Sequence, residues 1–129
     1  MDNSPKIFAP ISMGELFDKI TILKIKKDMI KGDKLKNINK ELFYLEEIVK
    51  NNKLIIDAKL FNNLKKINKT LWEIEDKIRI KESKKEFDEK FIELARSVYK
   101  ENDKRASVKK EINYKYDSIF VEEKSYKHY

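Results

Sequence analysis

The chain has 129 residues, a length that suits one domain with a real core, and 40% of its residues are hydrophobic. Two glycines and two prolines exclude a turn-rich β fold, and the lack of cysteine excludes disulfides and thiolate metal sites. The formal net charge is +7, but the basic residues are interleaved with 23 acids, which argues against a nucleic-acid interface without excluding one.

The N-terminal segment 1–11 predicts an extended lead-in, since Pro10 disfavours helix just before it. It has neither the basic start nor the apolar run of a signal peptide, and no stretch of the chain suits a membrane span. From these absences we expect a cytoplasmic protein that makes no membrane contact.

Four helices are predicted, each from a capping residue followed by apolar residues at steps of three and four. The first and fourth helices begin at capping-box pairs, Ser12 with Glu15 and Ser83 with Glu86, whereas Asp33 and Asp57 cap the second and third. The predicted ranges are about 12–31, 33–51, 57–82 and 84–115. A short tail with an apolar centre at 119–121 should fold back on the helices.

The second and third helices carry heptad seams, in which apolar residues alternate steps of three and four. These seams, with the short loop between them, predict that the two helices pair as an antiparallel hairpin. The chain as a whole is predicted to be all-α, a four-helix bundle built from two helical hairpins and forming one domain over 1–129. The apolar residues of the first helix spread wider than one stripe, which indicates that other elements contact it on more than one side.

The strongest indication of function is a change of character along the fourth helix. Its apolar stripe, from Phe87 to Val98, continues at the same steps into polar residues. A core-facing stripe that turns polar must find partners, stay wet or hold a ligand. Arginine, lysine and amide donors suit phosphate or carboxylate groups, so we hypothesise a binding or interaction module for an anionic group. The candidate ligand-binding residues are Lys19, Arg96, Asn102, Arg105, Lys109 and Asn113.

Two other interpretations of this stripe stay open. The arginines could pair with local acids, because Glu75 and Arg79, and likewise Glu101 and Arg105, have favourable i,i+4 spacing. Alternatively the stripe could face a copy of itself in an oligomeric helical scaffold. Trp72, beside the seam of the third helix, is predicted to be a core or hairpin-edge aromatic rather than a ligand platform.

An enzymatic alternative depends on paired acids. Glu15 and Asp18 in the first helix share the spacing of Glu73 and Asp76 in the third. Such pairs on neighbouring helices can hold Mg²⁺, which prefers oxygen ligands, and would suit a phosphohydrolase acting on nucleotides or other phosphate compounds. The similarity to all-α nucleotide pyrophosphohydrolases is weak, because in those enzymes the acid pairs lie closer along the chain. The first hypothesis needs no cofactor; this alternative needs magnesium.

Four segments in this order resemble a small uncharacterised family of bacterial and phage proteins, known only as a domain of unknown function. The segments are PISMGELFDKITILKIK, LWEIEDKIR, FIELARSVYKENDKRASVKKEIN and EEKSY, and the resemblance extends from Pro10 to Tyr129. It implies no activity and no catalytic residue. It does imply that the informative surfaces lie on the first helix, the end of the third, the fourth and the tail, with the second helix mainly a scaffold.

Overall fold

The computed structural model describes residues 5–129, which contain four helices and no strand. The helices are α1 (Met13–Met29), α2 (Asp33–Asn51), α3 (Ala58–Ser83) and α4 (Glu89–Lys115). The predicted all-α four-helix bundle is therefore confirmed. The start of the predicted lead-in lies outside the described residues, and its described part forms no regular element.

The central element of the bundle is α1, which packs against each of the other three helices. The remaining helix contact joins α3 to α4, so the two hairpins are α1–α2 and α3–α4. The predicted α2–α3 hairpin is wrong, since these two helices, described in full, make no helix–helix contact. A heptad seam identifies the apolar face of a helix but not the helix that covers it.

Two apolar clusters on neighbouring faces of α1 explain this arrangement. Towards α2, α1 buries Leu16, Ile20 and Leu23 against the α2 seam residues Ile38 and Leu42. Towards α3 and α4, the fully buried ring of Phe17 packs in a second cluster, whose other buried members are Leu60, Leu64 and Ile112. The wide apolar surface predicted for the first helix is therefore confirmed. It lets α2 and α3 both pack on α1 instead of on each other.

Helix starts follow short side chains that accept backbone hydrogen bonds. Ser12 Oγ accepts from the Glu15 amide at 3.0 Å, and Asp57 Oδ1 accepts from the Leu60 amide at 2.9 Å, as the sequence predicted. The second helix differs slightly, because Asp33 is its first residue and Gly32 takes the capping position.

The predicted start of the fourth helix at residue 84 is wrong. Ser83 is still part of α3, where its hydroxyl donates to the Ile80 carbonyl at 2.7 Å instead of capping a new helix. A turn follows in which Lys85 has a φ of 55°, and α4 begins only after Asp88, whose carboxylate accepts from the Phe91 amide at 3.0 Å. Lys81 bridges this turn by ion pairs to Glu86 and Asp88, at 3.1 and 2.8 Å.

The C-terminal segment after Lys115 begins with a turn, forms no regular element and returns along the bundle, as predicted. Hydrogen bonds anchor its first residues. The Tyr116 hydroxyl donates to the Ile55 carbonyl and accepts from the Asp57 amide. Ser118 Oγ accepts from the Met13 amide at 3.1 Å. The predicted apolar centre contributes little, because Ile119 is 81% exposed.

Candidate functional site

The polar stripe of α4 faces α1 of the same chain. Asn113, at the end of the stripe, accepts a hydrogen bond from the Gly14 amide through Oδ1 at 2.7 Å. One turn earlier Lys109 contacts Glu15, and a further turn back Arg105 contacts Asp18. The stripe and α1 thus run side by side in opposite directions, and α1 covers part of the stripe.

Asp18 is the most buried carboxylate of this contact, at 1% exposure. It accepts from both Nε and Nη2 of Arg105, with Nε at 3.0 Å, and from the Asn68 amide of α3 at 2.9 Å. Asn68 Nδ2 also donates to Thr21 Oγ1 at 2.9 Å, so the side chain joins α3 to α1 twice. Burial alone would raise the pKa of Asp18, but the hydrogen bonds from Arg105 and Asn68 outweigh it and hold that pKa below 3.8.

Lys109 is a buried cation that is surrounded by carboxylates. Its Nζ lies 2.9 Å from Glu15, 3.0 Å from Glu122 of the tail and 3.7 Å from Asp18. Burial would lower the pKa of Lys109, but the hydrogen bonds to Glu15 and Glu122 raise it above 10.5. Because Glu122 belongs to the tail, this lysine ties the tail to both α1 and α4.

These side chains form one ion cluster, defined by Glu15, Asp18, Arg105, Lys109 and Glu122. Its three carboxylates outnumber its two cations, so the protein itself already neutralises the buried part of the stripe. The predicted local pairing of Arg105 with Glu101 is wrong, because Glu101 binds Lys104 at 2.9 Å instead. The other local pair is confirmed: Arg79 Nε lies 3.8 Å from Glu75 on an exposed surface.

Next to the ion cluster, α1, α3 and α4 enclose a cleft with a volume of about 540 Å³. We call it the α1/α3/α4 cleft; its volume is in the range of small-molecule pockets. Its walls combine an apolar part with a polar part. The apolar residues are Ile22, Ile25, Leu71 and Trp72, and the polar residues are Lys26, Asn68, Glu75, Asp76, Arg79, Asn102 and Arg105.

Arg105 lines this cleft as a rigidly held donor. Asp18 occupies its Nε and Nη2, whereas its Nη1 has only a long contact of 3.5 Å with Asn102 Oδ1. A guanidinium carries five N–H groups, so donors remain on the Nη1 side after the pairing with Asp18. The arrangement can therefore present a fixed positive edge to a ligand in the cleft.

The structure divides the six predicted binding residues into three groups. Asn102 and Arg105 line the cleft, whereas Lys109 and Asn113 lie deeper, where Lys109 belongs to the ion cluster and Asn113 holds α1. Two residues lie outside both sites: Lys19 is exposed on α1, and exposed Arg96 has Nε 3.4 Å from the Tyr99 hydroxyl.

The predicted magnesium ligands are not brought together. Glu15 and Asp18 belong to the ion cluster, where they bind Lys109 and Arg105. Glu73 and Asp76 lie on the exposed surface of α3, and Asp76 borders the cleft. Among residues 5–129, no group of three or more histidine, aspartate or glutamate side chains is placed to hold a metal ion.

Sequence reasoning missed two residues that shape this region, Asn68 and Glu122. Asn68 directly follows the apolar seam residue Ile67. A side-chain amide that is buried at such a position needs a hydrogen-bond partner inside the protein. Glu122, in the EEKSY segment, gave no signal beyond its place in that segment. Trp72, which the sequence predicts to be a core or hairpin-edge aromatic rather than a ligand platform, is partly buried and forms part of the cleft wall.

None of the helices formed by residues 5–129 combines the length and the apolar character that crossing a membrane would require. Comparison with curated proteins and with solved structures finds no match to the chain. The model of one protein family does match, over residues 7–129, and its description is a family of unknown function, DUF6165. This agrees with the uncharacterised, all-helical family expected from the four segments, while a bacterial or phage origin stays an expectation. The match covers nearly the whole chain, and the protein therefore belongs to the DUF6165 family.

Proposed function

We propose that this protein is a binding module whose α1/α3/α4 cleft holds a small molecule with an apolar body and a carboxylate or phosphate group. The observation that carries the proposal is the state of Arg105. A buried carboxylate fixes one side of its guanidinium, and the other side faces a cleft with an apolar wall. A donor that is held in place before the ligand arrives loses little freedom on binding, which favours affinity.

The chemistry of the cleft suits such a ligand at both ends. The anionic group would accept hydrogen bonds from Arg105 Nη1 and from the Asn102 amide, with Arg79 close by on the same rim. Leu71 and the Trp72 ring would cover the apolar body, since aromatic side chains offer large contact areas. Arg79 is paired with Glu75 only at 3.8 Å and with 80% of its side chain exposed, so a ligand can recruit it at small cost.

This proposal narrows the set of ligand-binding residues suggested by the sequence. Lys109 and Asn113 hold α1 and the tail against α4, and we give them no contact with the ligand. Lys19 and Arg96 do not line the cleft. Asn102 and Arg105 remain proposed ligand-binding residues, and Arg79 and Trp72 are added to them.

Trp72 makes the proposal directly measurable, because it is the one tryptophan in the sequence and it lines the cleft. Titrations with benzoate, phenylacetate, octanoate, glucose 6-phosphate and AMP should identify at least one compound that changes the tryptophan emission. The same compound should raise the melting temperature, since a ligand that binds only the native state stabilises it by mass action.

Two matched arginine variants test where the compound binds. Arg79→Gln removes a cation of the cleft rim, whereas Arg96→Gln removes an exposed cation of α4 that lies outside the cleft. The first variant should bind the active compound about tenfold more weakly, and the second should bind it as the unmodified protein does. The proposal fails if no compound changes the emission, or if both variants bind equally well.

A further inference from the structure

The tail runs back along α4 in the opposite direction to that helix. Glu122 and Glu123 lie beside Lys109 and Lys110, at 3.0 and 3.8 Å, and the Tyr129 ring then reaches Tyr99, with 5.0 Å between the ring centroids. The start of the tail thus lies beside Lys109 and Lys110, and its end lies beside Tyr99, an earlier position in α4. The tail therefore forms a wall that faces the side of α4 next to the ion cluster.

Between this wall and α4 lies a second cavity of about 570 Å³, which we call the tail cavity. It is lined by Val98, Tyr99, Asn102, Asp103, Lys124, Tyr126, Lys127 and Tyr129. Its volume is in the range of small-molecule pockets. It shares only Asn102 with the α1/α3/α4 cleft, so it is a separate site.

The lining of the tail cavity combines aromatic rings with cations. Three of its residues are tyrosines, and Tyr126 and Tyr129 keep 79% and 74% of their surface exposed, so their rings remain open for contact. A hydrogen bond with Asp103 holds Tyr129 against α4 and raises the pKa of its hydroxyl. Among residues 5–129, neither Lys124 nor Lys127 forms an ion pair; Lys124 Nζ lies 5.6 Å from the centre of the Tyr126 ring.

Open aromatic faces beside unpaired ammonium groups complement a flat ring that carries a negative group. Tyrosine rings stack on any nucleobase, and lysine is a common partner of phosphate. We propose that the tail cavity binds a planar aromatic anion of the nucleoside monophosphate class, with its ring against the tyrosines and its phosphate at Lys124 and Lys127. This site is independent of the proposed function of the α1/α3/α4 cleft, because the tyrosines and lysines assigned to the ligand here do not line that cleft.

Isothermal titration calorimetry with AMP and with phenyl phosphate tests this assignment. Both compounds should bind. Adenosine lacks the phosphate and inorganic phosphate lacks the aromatic ring, so each should bind more weakly. Tyr126→Ala and Lys127→Ala should each weaken AMP binding about tenfold. Both residues are exposed, so these variants should melt at the same temperature as the unmodified protein.

Matched controls come from residues outside the tail cavity. Tyr114→Ala removes an exposed tyrosine of α4 and Lys36→Ala an exposed lysine of α2, and both variants should bind AMP normally. AMP in this cavity should leave the emission of Trp72 unchanged, which separates the site from the α1/α3/α4 cleft. The assignment is overturned if AMP does not bind, if the tail variants bind as the controls do, or if only single-stranded oligonucleotides bind.

Discussion

At the scale of single residues, Asp18 is the point at which three helices meet. It belongs to α1, it binds Arg105 of α4 through two nitrogens, and it accepts a hydrogen bond from Asn68 of α3. Removing one partner of a buried ion pair leaves the other charge without compensation. Asp18 should therefore contribute more to stability than the exposed ion pairs of this chain.

A double-mutant cycle on Asp18→Asn and Arg105→Gln should measure this contribution. We expect each single variant to lower the free energy of unfolding by about 3 kcal/mol, because each leaves a buried or partly buried charge without its partner. The double variant should lose less than the sum, since the two residues interact directly. Urea denaturation followed by circular dichroism gives the three values.

The pair Glu75 and Arg79 provides the matched control for this cycle. It likewise joins a carboxylate to an arginine, but its side chains are 50% and 80% exposed. The same cycle on Glu75→Gln and Arg79→Gln should show a coupling of about 0–1 kcal/mol, because water screens exposed pairs. Equal coupling in the two cycles would contradict the structural role given to Asp18.

The lowered pKa of Asp18 also predicts how stability depends on pH. The unfolded carboxyl has a pKa of 3.8 and the folded one a lower value, so the native state favours the ionised form. The stabilisation is fully present above pH 3.8 and is lost as the pH falls through the folded pKa. The difference in unfolding free energy between the unmodified protein and Asp18→Asn should therefore shrink below about pH 3.8. A difference that stays constant from pH 7 to pH 2 would rule this out.

The same residues show how far sequence reasoning reaches. The polar character of Asn102, Arg105, Lys109 and Asn113 within a core-facing stripe follows from helical spacing alone, and the structure places all four against α1, the tail or a cleft. The partner of Arg105 does not follow, because Asp18 lies 87 positions away. Glu101 has ideal local spacing, and only the tertiary packing of α1 on α4 decides between the two acids.

At the scale of helices, the apolar faces were predictable and their pairing was not. The seam of α2 has the right spacing to cover α3, yet Ile38 and Leu42 pack on α1. The helix that α2 packs on is decided by α1, whose apolar residues occupy more of its circumference than one neighbouring helix can cover. Helix starts show a similar ambiguity: the side chains of Ser83 and Asp88 could each accept a hydrogen bond from the amide three residues later, and the turn at Lys85 selects Asp88.

The contact between α1 and α4 depends on Gly14. A methyl group at this position would lie 2.7 Å from the Lys109 carbonyl oxygen and 3.0 Å from Asn113 Oδ1. Alanine normally stabilises a helix relative to glycine by about 1 kcal/mol, but here the two backbones would have to separate. Gly14→Ala should therefore lower the free energy of unfolding by about 1–3 kcal/mol in urea denaturation.

A second alanine variant of α1 isolates the steric effect. Lys19 is exposed on the same helix, so Lys19→Ala should change the unfolding free energy by no more than about 0.5 kcal/mol. Stabilisation by Gly14→Ala would mean that helix propensity dominates and that α1 and α4 are not in close backbone contact at this point.

At the scale of the whole molecule, stability should be uneven, because α1 contacts three helices and α2 contacts only α1. The buried apolar residues of α2, Ile38 and Leu42, lie in the cluster shared with α1, whereas Phe43, Tyr44 and Ile48 of the same helix are exposed. An element held by one interface can open while the rest of the structure stays folded. The α1–α3–α4 unit also keeps the ion cluster and the cleft intact without α2, since α2 contributes no residue to either.

Amide hydrogen exchange should therefore separate α2 from α1. We expect the central amides of α2, around Leu42, to exchange at a lower opening free energy than those of α1 around Phe17 and Thr21. Leu42→Ala should accelerate exchange throughout α2, because it removes a buried contact with α1, while exchange in α3 and α4 stays nearly unchanged. Equal protection of α1 and α2, or acceleration of all four helices by Leu42→Ala, would show that the bundle unfolds as a single unit. The α1–α3–α4 unit would then no longer be the separate, more stable platform on which both proposed binding sites are built.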